Sequence, residues 1–162
     1  MKLIKLTQGF STKVDDEDFE VLNKYKWTIR RYKGSGYAVR KDGAGGQNIY
    51  MARVIIDAVA GDIVDHINRN PLDNRRINLR TVTRSENGIN RAIHKNNTSG
   101  YRGVSFDKTS QRWIVHVTKD NKRINVGPFK DKDEAALAYN KAAETHHGEY
   151  AVLNVIKPLR KN

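Results

Sequence analysis

An acid and a histidine stand side by side in this chain, and two asparagines follow at short intervals. Asp65 directly precedes His66, Asn78 lies twelve residues beyond the histidine, and Asn87 lies nine residues further on. A carboxylate and an amide oxygen can hold a hard divalent cation, and a neighbouring imidazole can take a proton from water. We therefore predict that Asp65 and Asn87 bind a metal ion, that His66 is a general base, and that Asn78 orients its imidazole. Neighbouring strand residues point to opposite faces, so a bulge or twist must turn one of Asp65 and His66 if both contact one phosphate.

Arginines fill the space between and after these residues. Guanidinium groups match the geometry of phosphate oxygens, so we expect them to bind a polyanion. The pattern predicts metal-assisted cleavage of a phosphodiester backbone. The expected cofactor is one divalent cation, Mg²⁺ in the first place and Mn²⁺ in the second, because Mg²⁺ keeps several waters and needs few protein oxygens. The expected DNA-contacting arginines in this stretch are Arg75, Arg76, Arg80 and Arg84.

Two short strands and a helix must position these side chains. The apolar run at 63–67 predicts a strand, and 78–82 predicts a second strand after a polar loop. The spacing from Thr83 to Glu86 is that of a capping box, so we predict a helix from Thr83 to about Arg91. A hairpin and helix of this kind can clamp one metal ion.

The composition favours a nucleic-acid partner. The 162 residues include 30 Lys and Arg against 18 Asp and Glu, a formal net charge of +12. Both halves are basic: residues 1–97 carry 18 cationic and 11 acidic side chains, and residues 98–162 carry 12 and 7. We expect double-stranded DNA as the partner, with an anionic membrane surface second and RNA a weaker alternative. No apolar run approaches the ~18 residues of a membrane span, and no secretion signal is evident. The absence of cysteine excludes disulfides and thiolate metal sites.

The first sixty residues predict a β-rich region. Short β-like runs at 2–7, 27–32, 37–40 and 47–51 are separated by turns, and 51–60 predicts a short buried helix. The acidic residues at 15–18 can start a helix or resemble a metal site. We favour a solvated helix start, because consecutive acids on a helix do not face one point.

The last third predicts a three-stranded antiparallel sheet backed by one helix. Residues 112–118 alternate, so that Trp113, Val115 and Val117 share the inner face, and the alternation continues through 123–126. Residues 131–146 predict a helix with a small-residue face. The outer sheet face is expected to contact DNA, although solvated strand residues are the simpler alternative. The expected contact residues are Arg102, Arg112, His116, Thr118, Arg123 and Asn125.

The chain is therefore predicted to be an α+β protein with several parts. The expected division is a β-rich region at 1–60, a ββα unit at 61–93, a linker at 94–99, a DNA-binding domain at 100–156 and a basic tail at 157–162. The linker is expected to swing between the two modules or to lie along a DNA groove.

Residues 64–91 resemble the HNH endonucleases of the homing type found in phages and bacteria. The resemblance rests on Asp65-His66, the run at 70–75, Asn78-Leu79-Arg80 and Ser85-Glu86-Asn87. It implies a ββα-metal fold with Asp65 and Asn87 as metal ligands, His66 as general base and Asn78 as its orienting partner. Many members carry a histidine where this chain has Asn87, and the asparagine form resembles the homing subgroup.

Residues 100–154 resemble an AP2 DNA-binding domain. The similar stretches are the runs at 100–104, 124–129 and 133–143, with Leu153-Asn154. The resemblance implies that the sheet enters the major groove. Plant members carry basic or aromatic contact residues where this chain has Ser105, Thr118 and Asn125, so their base preference does not transfer.

One departure from the HNH pattern motivates an alternative function. The family often has a histidine before the arginine of the preceding helix, and here the run is Met51-Ala52-Arg53. We expect a site-favouring DNA endonuclease, acting in the cytoplasm of a bacterial host and encoded by a phage, without an obligate protein partner. The alternative is a catalytically weak or inactive sequence-specific DNA-binding regulator that kept both modules.

Overall fold

The computed structural model describes residues 1–32 and 35–156. The chain divides into two compact units, and the division falls between Thr83 and Arg84. The predicted α+β class is confirmed, with several small sheets and few helices. The expected basic tail at 157–162 lies outside the described residues. In the part of the chain that is described, no helix combines the length and apolar character needed to cross a membrane.

The N-terminal unit begins with a mixed sheet and ends with a hairpin. Its elements are β1 (Lys2–Thr7), β2 (Ser11–Val14), α1 (Asp16–Leu22), β3 (Trp27–Tyr32), β4 (Ser35–Lys41), β5 (Asn48–Tyr50), α2 (Met51–Ile55), β6 (Ile63–His66), a 3₁₀ turn (Arg76–Asn78) and β7 (Leu79–Val82). The first sheet has the order β2-β1-β3-β4-β5, in which β1 and β3 are parallel and the other neighbours antiparallel. The hairpin pairs β6 with β7.

One apolar core joins the sheet, the helices and the hairpin of this unit. Alternation along β1 turns Ile4 inward, where it packs with Trp27, Met51 and Ile55. Leu79 of the hairpin belongs to the same core. Removing these side chains from water stabilises the unit, by roughly 1.5–3 kcal/mol for each large one that is fully buried. The hairpin is therefore fixed to the sheet by shared packing.

Strand β2 was not predicted from the sequence. It forms backbone hydrogen bonds with the loop that connects β6 to β7. The Lys13 amide donates to the Leu72 carbonyl at 2.8 Å, and the Asn74 amide donates to the Lys13 carbonyl at 2.8 Å. Lys13 and Asp73 form an isolated parallel bridge. The loop after β6 thus has a regular backbone partner outside its own hairpin.

Two expectations for this unit need correction. The helix expected over 51–60 ends at Ile55, and Asp57 has a left-handed backbone with φ of 51°. The acidic residues before and within α1 are not merely solvated. Asp18 is buried and contacts the Arg76 guanidinium at 2.7 and 3.0 Å, and Asp15 accepts from the Arg76 amide at 2.7 Å. These acids tie α1 to the 3₁₀ turn.

The C-terminal unit contains the expected sheet and helix. Its elements are α3 (Arg84–Ile89), β8 (Val104–Asp107), β9 (Arg112–Lys119), β10 (Lys122–Phe129), α4 (Lys132–His147) and a 3₁₀ turn (Gly148–Tyr150). The antiparallel order is β10-β9-β8. Val115 and Val117 are buried against Ala135 and Tyr139 of α4, as the alternation predicts. Asp131 caps α4 by accepting from two backbone amides.

Two details of this unit differ from expectation. The register of β9 and β10 shifts between Asn125 and Gly127, so the alternation predicted through residue 126 breaks there. The end of the predicted linker is also held in place. Ser99 is buried, its hydroxyl donates to the Val104 carbonyl at 2.7 Å, and it accepts from the Tyr101 amide at 3.0 Å.

Candidate active site

His66 is the last residue of β6 and is almost fully buried, with 8% of its surface exposed. The β6–β7 register runs without a shift from Ile63↔Val82 to His66↔Leu79, so the bulge considered from the sequence does not occur there. Action of both Asp65 and His66 on one phosphate therefore requires twisting of the strand. Tyr37 lies beside the imidazole, with ring centroids 6.3 Å apart. The ring is therefore held inside the N-terminal unit.

A chain of hydrogen bonds fixes the orientation of this imidazole. His66 Nε2 lies 3.0 Å from Asn74 Oδ1, and Asn74 Nδ2 donates to Thr12 Oγ1 at 2.7 Å. The Thr12 hydroxyl in turn donates to the Leu72 carbonyl at 2.9 Å. Because the amide nitrogen of Asn74 is used on Thr12, its oxygen faces His66, and Nε2 must be the donor. The lone pair of the neutral imidazole is then on Nδ1.

Burial lowers the pKa of His66 below its ordinary value of 6.5, since the charged imidazolium loses its hydration. The hydrogen bond to Asn74 and the charges of Asp65 and Asp73 oppose this shift without cancelling it. The imidazole is therefore neutral near pH 7, which is the protonation state that a general base requires.

Asn78 does not make the contact expected of it. Its Oδ1 accepts from the Asn68 amide at 2.9 Å, and its Nδ2 donates to the Asp73 carbonyl at 2.7 Å. These bonds brace the two ends of the polar loop. The orienting contact to the imidazole comes from Asn74 instead, because β2 draws that residue against the strand that ends at His66.

Asp65 is buried and lies directly opposite Arg80 in the hairpin register. Arg80 Nε and Nη2 both approach Asp65 Oδ2, at 3.1 and 3.0 Å. Among the described residues, no group of three or more His, Cys, Asp and Glu side chains is placed to hold a metal. A donor set of one carboxylate with an amide oxygen and waters still fits Mg²⁺, which commonly takes one or two carboxylates and keeps water ligands.

Asn87, the other expected ligand, lies on α3 in the C-terminal unit and is half-buried. Its convergence with Asp65 on one cation stays a prediction. Ala52 is buried in the core of the N-terminal unit on α2. The neighbouring Arg53 donates to the Asp62 and Val59 carbonyls at 2.8 and 2.7 Å, which closes the turn before β6.

The hairpin arginines have carboxylate partners within their own unit. Arg75 binds Asp73 through two nitrogens at 2.7 and 2.6 Å, Arg76 binds Asp18, and Arg80 binds Asp65. These arginines therefore brace the loop and strand around His66. Arg84, by contrast, is exposed on α3 and has no ion-pair partner among the described residues.

The expected DNA-contacting residues of the C-terminal unit lie in two places. Five of them are on β9 and β10, and the sixth, Arg102, precedes β8. His116 pairs with Asn125 and Thr118 pairs with Arg123 in the β9–β10 register, and Arg123 Nη2 lies 2.9 Å from His116 Nδ1. Arg112 begins β9 opposite Asp107. Arg102, expected on this outer face, precedes β8. Its guanidinium donates to the Ile89 carbonyl at 3.2 Å and to the Arg91 carbonyl, because the turn at Gly103 directs it toward the end of α3.

Comparison with known proteins agrees with both parts of this architecture. The family profile described as HNH endonuclease matches residues 58–89, and the profile of the AP2 domain matches residues 99–149.

Similar proteins occur in viruses, phages and plants. An uncharacterized HNH endonuclease, L560 of Acanthamoeba polyphaga mimivirus, is 31% identical over 143 residues, covering 86% of this chain and 72% of that protein. Protein 3.8 of Escherichia phage T7 is 34% identical over 93 residues, covering 56% of this chain and 74% of that protein. The Arabidopsis thaliana AP2/ERF and B3 domain-containing transcription factor RAV1 is 34% identical over 73 residues, 45% of this chain and 21% of that protein.

Three observations lead to one assignment. They are the buried Asp-His pair on a β-hairpin, the three-stranded sheet packed on α4, and the extent of the match to the mimiviral protein. The chain belongs to the HNH endonuclease family and joins an HNH unit to a DNA-binding AP2 domain.

Proposed function

We propose that this protein hydrolyses phosphodiester bonds of double-stranded DNA at a preferred site, as a metal-dependent endonuclease of the homing type. The observation that carries the proposal is the buried, neutral His66, whose Nε2 is occupied by Asn74. An imidazole held in this way has its basic lone pair on Nδ1 and keeps it at neutral pH.

In the proposed reaction, His66 Nδ1 takes a proton from a water molecule as the water oxygen attacks phosphorus. The phosphorus–oxygen bond to the leaving deoxyribose then breaks, and that oxygen takes up a proton. Asn74 holds the ring through Nε2, so the imidazolium formed keeps its orientation. Asp65 and Asn87 would hold one Mg²⁺, or Mn²⁺ in second place, which would neutralise charge on the phosphate and assist the leaving oxygen.

We assign cutting and DNA positioning to different parts of the chain, following the two family matches. We propose that residues 61–93 are the cutting unit, that 94–99 connect it, and that the domain at 100–156 positions it on DNA by placing its sheet in the major groove. Arg112, Arg123 and Asn125 are the proposed groove contacts, because the register puts them on the outer face of the sheet. The occurrence of relatives in a virus and a phage supports action on DNA in the cytoplasm of an infected host.

Plasmid cleavage tests the metal-dependent step. The wild-type protein is expected to nick or linearise supercoiled plasmid with Mg²⁺ and to leave it intact with EDTA. Asp65→Ala should lower the rate by at least about tenfold, since losing even a residue that only supports a metal ligand typically costs about 10- to 100-fold. Asp42→Ala removes an exposed carboxylate and should cut at the wild-type rate. Equal cleavage by the wild type and Asp65→Ala would remove the metal assignment.

Ala52 favours a second function, that of a DNA-binding regulator that does not cut. This hypothesis predicts salt-dependent DNA binding without any metal-dependent cleavage of the DNA, even by the Ala52→His variant. Because Ala52 is buried, the variant must also be shown to unfold at a temperature close to that of the wild type. Cleavage by the wild-type protein excludes the regulator.

A further inference from the structure

A cavity of about 490 Å³ lies within the C-terminal unit, between α3 with the residues that follow it and one end of the β9 strand. Its size falls in the range of about 300–1,000 Å³ that holds small ligands or a nucleotide-sized group. Among the residues that line it are Arg84, Arg91, His94, Arg102, His116 and His147.

The charge of this lining is of one sign. Of the residues that the structure describes, it includes three arginines and three histidines and no Asp or Glu. Arg84 and Arg91 are exposed, and neither has a carboxylate partner among the described residues. Arg75, Arg76 and Arg80 of the β6–β7 hairpin, by contrast, each contact a carboxylate. Cations that converge without acidic partners favour an anion between them.

Arg102 holds the two sides of the cavity together. Its guanidinium donates to the carbonyls of Ile89 and Arg91, at and just beyond the C-terminal end of α3. A helix of six residues that includes Gly88 and has no buried residue of its own is only marginally stable in isolation. Cationic donors at a helix C-terminus satisfy its last carbonyls, so Arg102 fixes α3 and the arginines on it relative to the AP2 sheet.

His116 also lines the cavity, and its imidazole is hydrogen-bonded to Arg123 of the neighbouring strand. Arg123 Nη2 has only hydrogens to offer, so His116 Nδ1 is the acceptor and the imidazole proton is on Nε2. Burial and the charge of Arg123 lower the pKa of His116, which keeps the ring neutral near pH 7.

We propose that this cavity binds a phosphate group of the DNA backbone, with Arg84 and Arg91 as its charged contacts and Arg102 as the residue that positions them. This inference rests on the proposed function for its choice of DNA. A free inorganic phosphate has the same chemistry and is the other source that the experiment distinguishes. Helix α3 carries Asn87. A phosphate bound in this cavity would therefore bring α3 and the AP2 domain to the same stretch of DNA.

The salt dependence of DNA binding tests the proposal. The dissociation constant of the full chain for a duplex is measured over a range of salt concentrations in EDTA, where no cutting interferes. Each phosphate contact contributes about 0.9 to the slope of log K against log salt. We expect Arg84→Gln and Arg91→Gln each to reduce the slope by up to about 0.9, and the double variant by more than either. Arg30→Gln, which removes an exposed arginine outside the cavity, is the matched control and should leave the slope unchanged.

The outcomes separate this inference from the nuclease assignment. A wild-type slope in the double variant would overturn the phosphate site even if the protein cuts DNA, and a reduced slope would support it even if the protein does not cut. Titration with inorganic phosphate at constant ionic strength, followed by NMR of the arginine side chains, identifies the source. Saturable binding of free phosphate together with an unchanged DNA slope would overturn the DNA assignment.

Discussion

At the scale of single residues, His66 receives both its orientation and its protonation state from its neighbours. Asn74 fixes which nitrogen carries the proton, and burial favours the neutral ring. Asp65 and His66 were found from the sequence because they are adjacent and because their spacing to Asn78 and Asn87 is distinctive. Asn74 was not, since asparagines in a polar loop usually serve turns.

Replacing Asn74 by aspartate tests this arrangement through the pH dependence of cutting. In the wild type, the His66 pKa lies below 6.5, so the rate is expected to fall only as the pH drops below that value. A carboxylate accepting from Nε2 stabilises the imidazolium and raises its pKa. Asn74→Asp should therefore shift the acidic limb of the single-turnover rate to higher pH. Asn96→Asp changes an exposed amide and is the control. An acidic limb at the same pH in all three proteins would contradict the orienting role of Asn74.

At the scale of elements, β2 is the part of the N-terminal region that completes the site. Lys13 of this strand bonds the loop backbone on both sides of Asp73, and Thr12 supports Asn74 across a separation of 62 residues in the chain. The N-terminal sixty residues therefore contribute side chains and backbone groups that support the residues around His66. A contact over so long a separation leaves no local pattern, so the sequence predicted neither the strand nor its role.

Thr12→Val tests the support that β2 gives. The substitution keeps the shape of the side chain but removes the acceptor for Asn74 Nδ2. Asn74 Nδ2 then keeps only its longer contact of 3.4 Å to the Pro71 carbonyl, so the free energy of unfolding should fall by about 1–3 kcal/mol, measured by urea denaturation. Cutting should also slow, because the amide of Asn74 is free to turn. Thr81→Val, at an exposed position of β7, should change neither quantity. A stable and fully active Thr12→Val variant would show that the chain of hydrogen bonds is dispensable.

Gly103 sets the turn that leads from Arg102 into β8. Its φ is +69°, and a Cβ atom there would lie 2.2 Å from the Tyr139 ring and 2.6 Å from the His116 carbonyl. Gly103→Ala should therefore destabilise the protein by at least about 2 kcal/mol, since backbone strain and a core clash add. Thermal unfolding measures the loss. Gly9→Ala, where φ is +78° and no atom lies within 4 Å, should cost about 1–2 kcal/mol for strain alone. Equal losses in the two variants would contradict the close approach at Gly103.

The elements that the sequence predicted well are those with a strong local pattern. The alternation of residues 112–118 predicted β9, and the small-residue pattern of residues 131–146 predicted α4, each to within about a residue at either end. The register shift between Asn125 and Gly127 was not predicted. The residues before and after the extra residue each alternate normally, so the sequence carries no local sign of the break. Helix α2 ends at Ile55, just before the left-handed backbone at Asp57, and Arg53 bonds the Val59 and Asp62 carbonyls of the turn that follows. These bonds span six and nine residues, so the helical pattern of 51–60 did not reveal them.

At the scale of the whole molecule, positive charge is distributed over two units that use it differently. In the N-terminal unit, Arg75, Arg76 and Arg80 brace carboxylates around His66. In the C-terminal unit, Arg84 and Arg91 line a cavity and have no carboxylate partner in the described part of the chain. The net charge of +12 was sufficient to predict a polyanionic partner, but it did not distinguish arginines that stabilise the fold from arginines available to DNA.

The most direct test of the account is the single-turnover rate of DNA cleavage by His66→Ala at pH 7.5 with Mg²⁺, compared with the wild type and with His146→Ala. Loss of a general base should lower the rate by about 10²- to 10⁴-fold, while binding of the same duplex in EDTA stays unchanged. His146→Ala, which removes a histidine outside the site, should cut at the wild-type rate. Cleavage by His66→Ala as fast as by the wild type would contradict the assignment of His66 as the base.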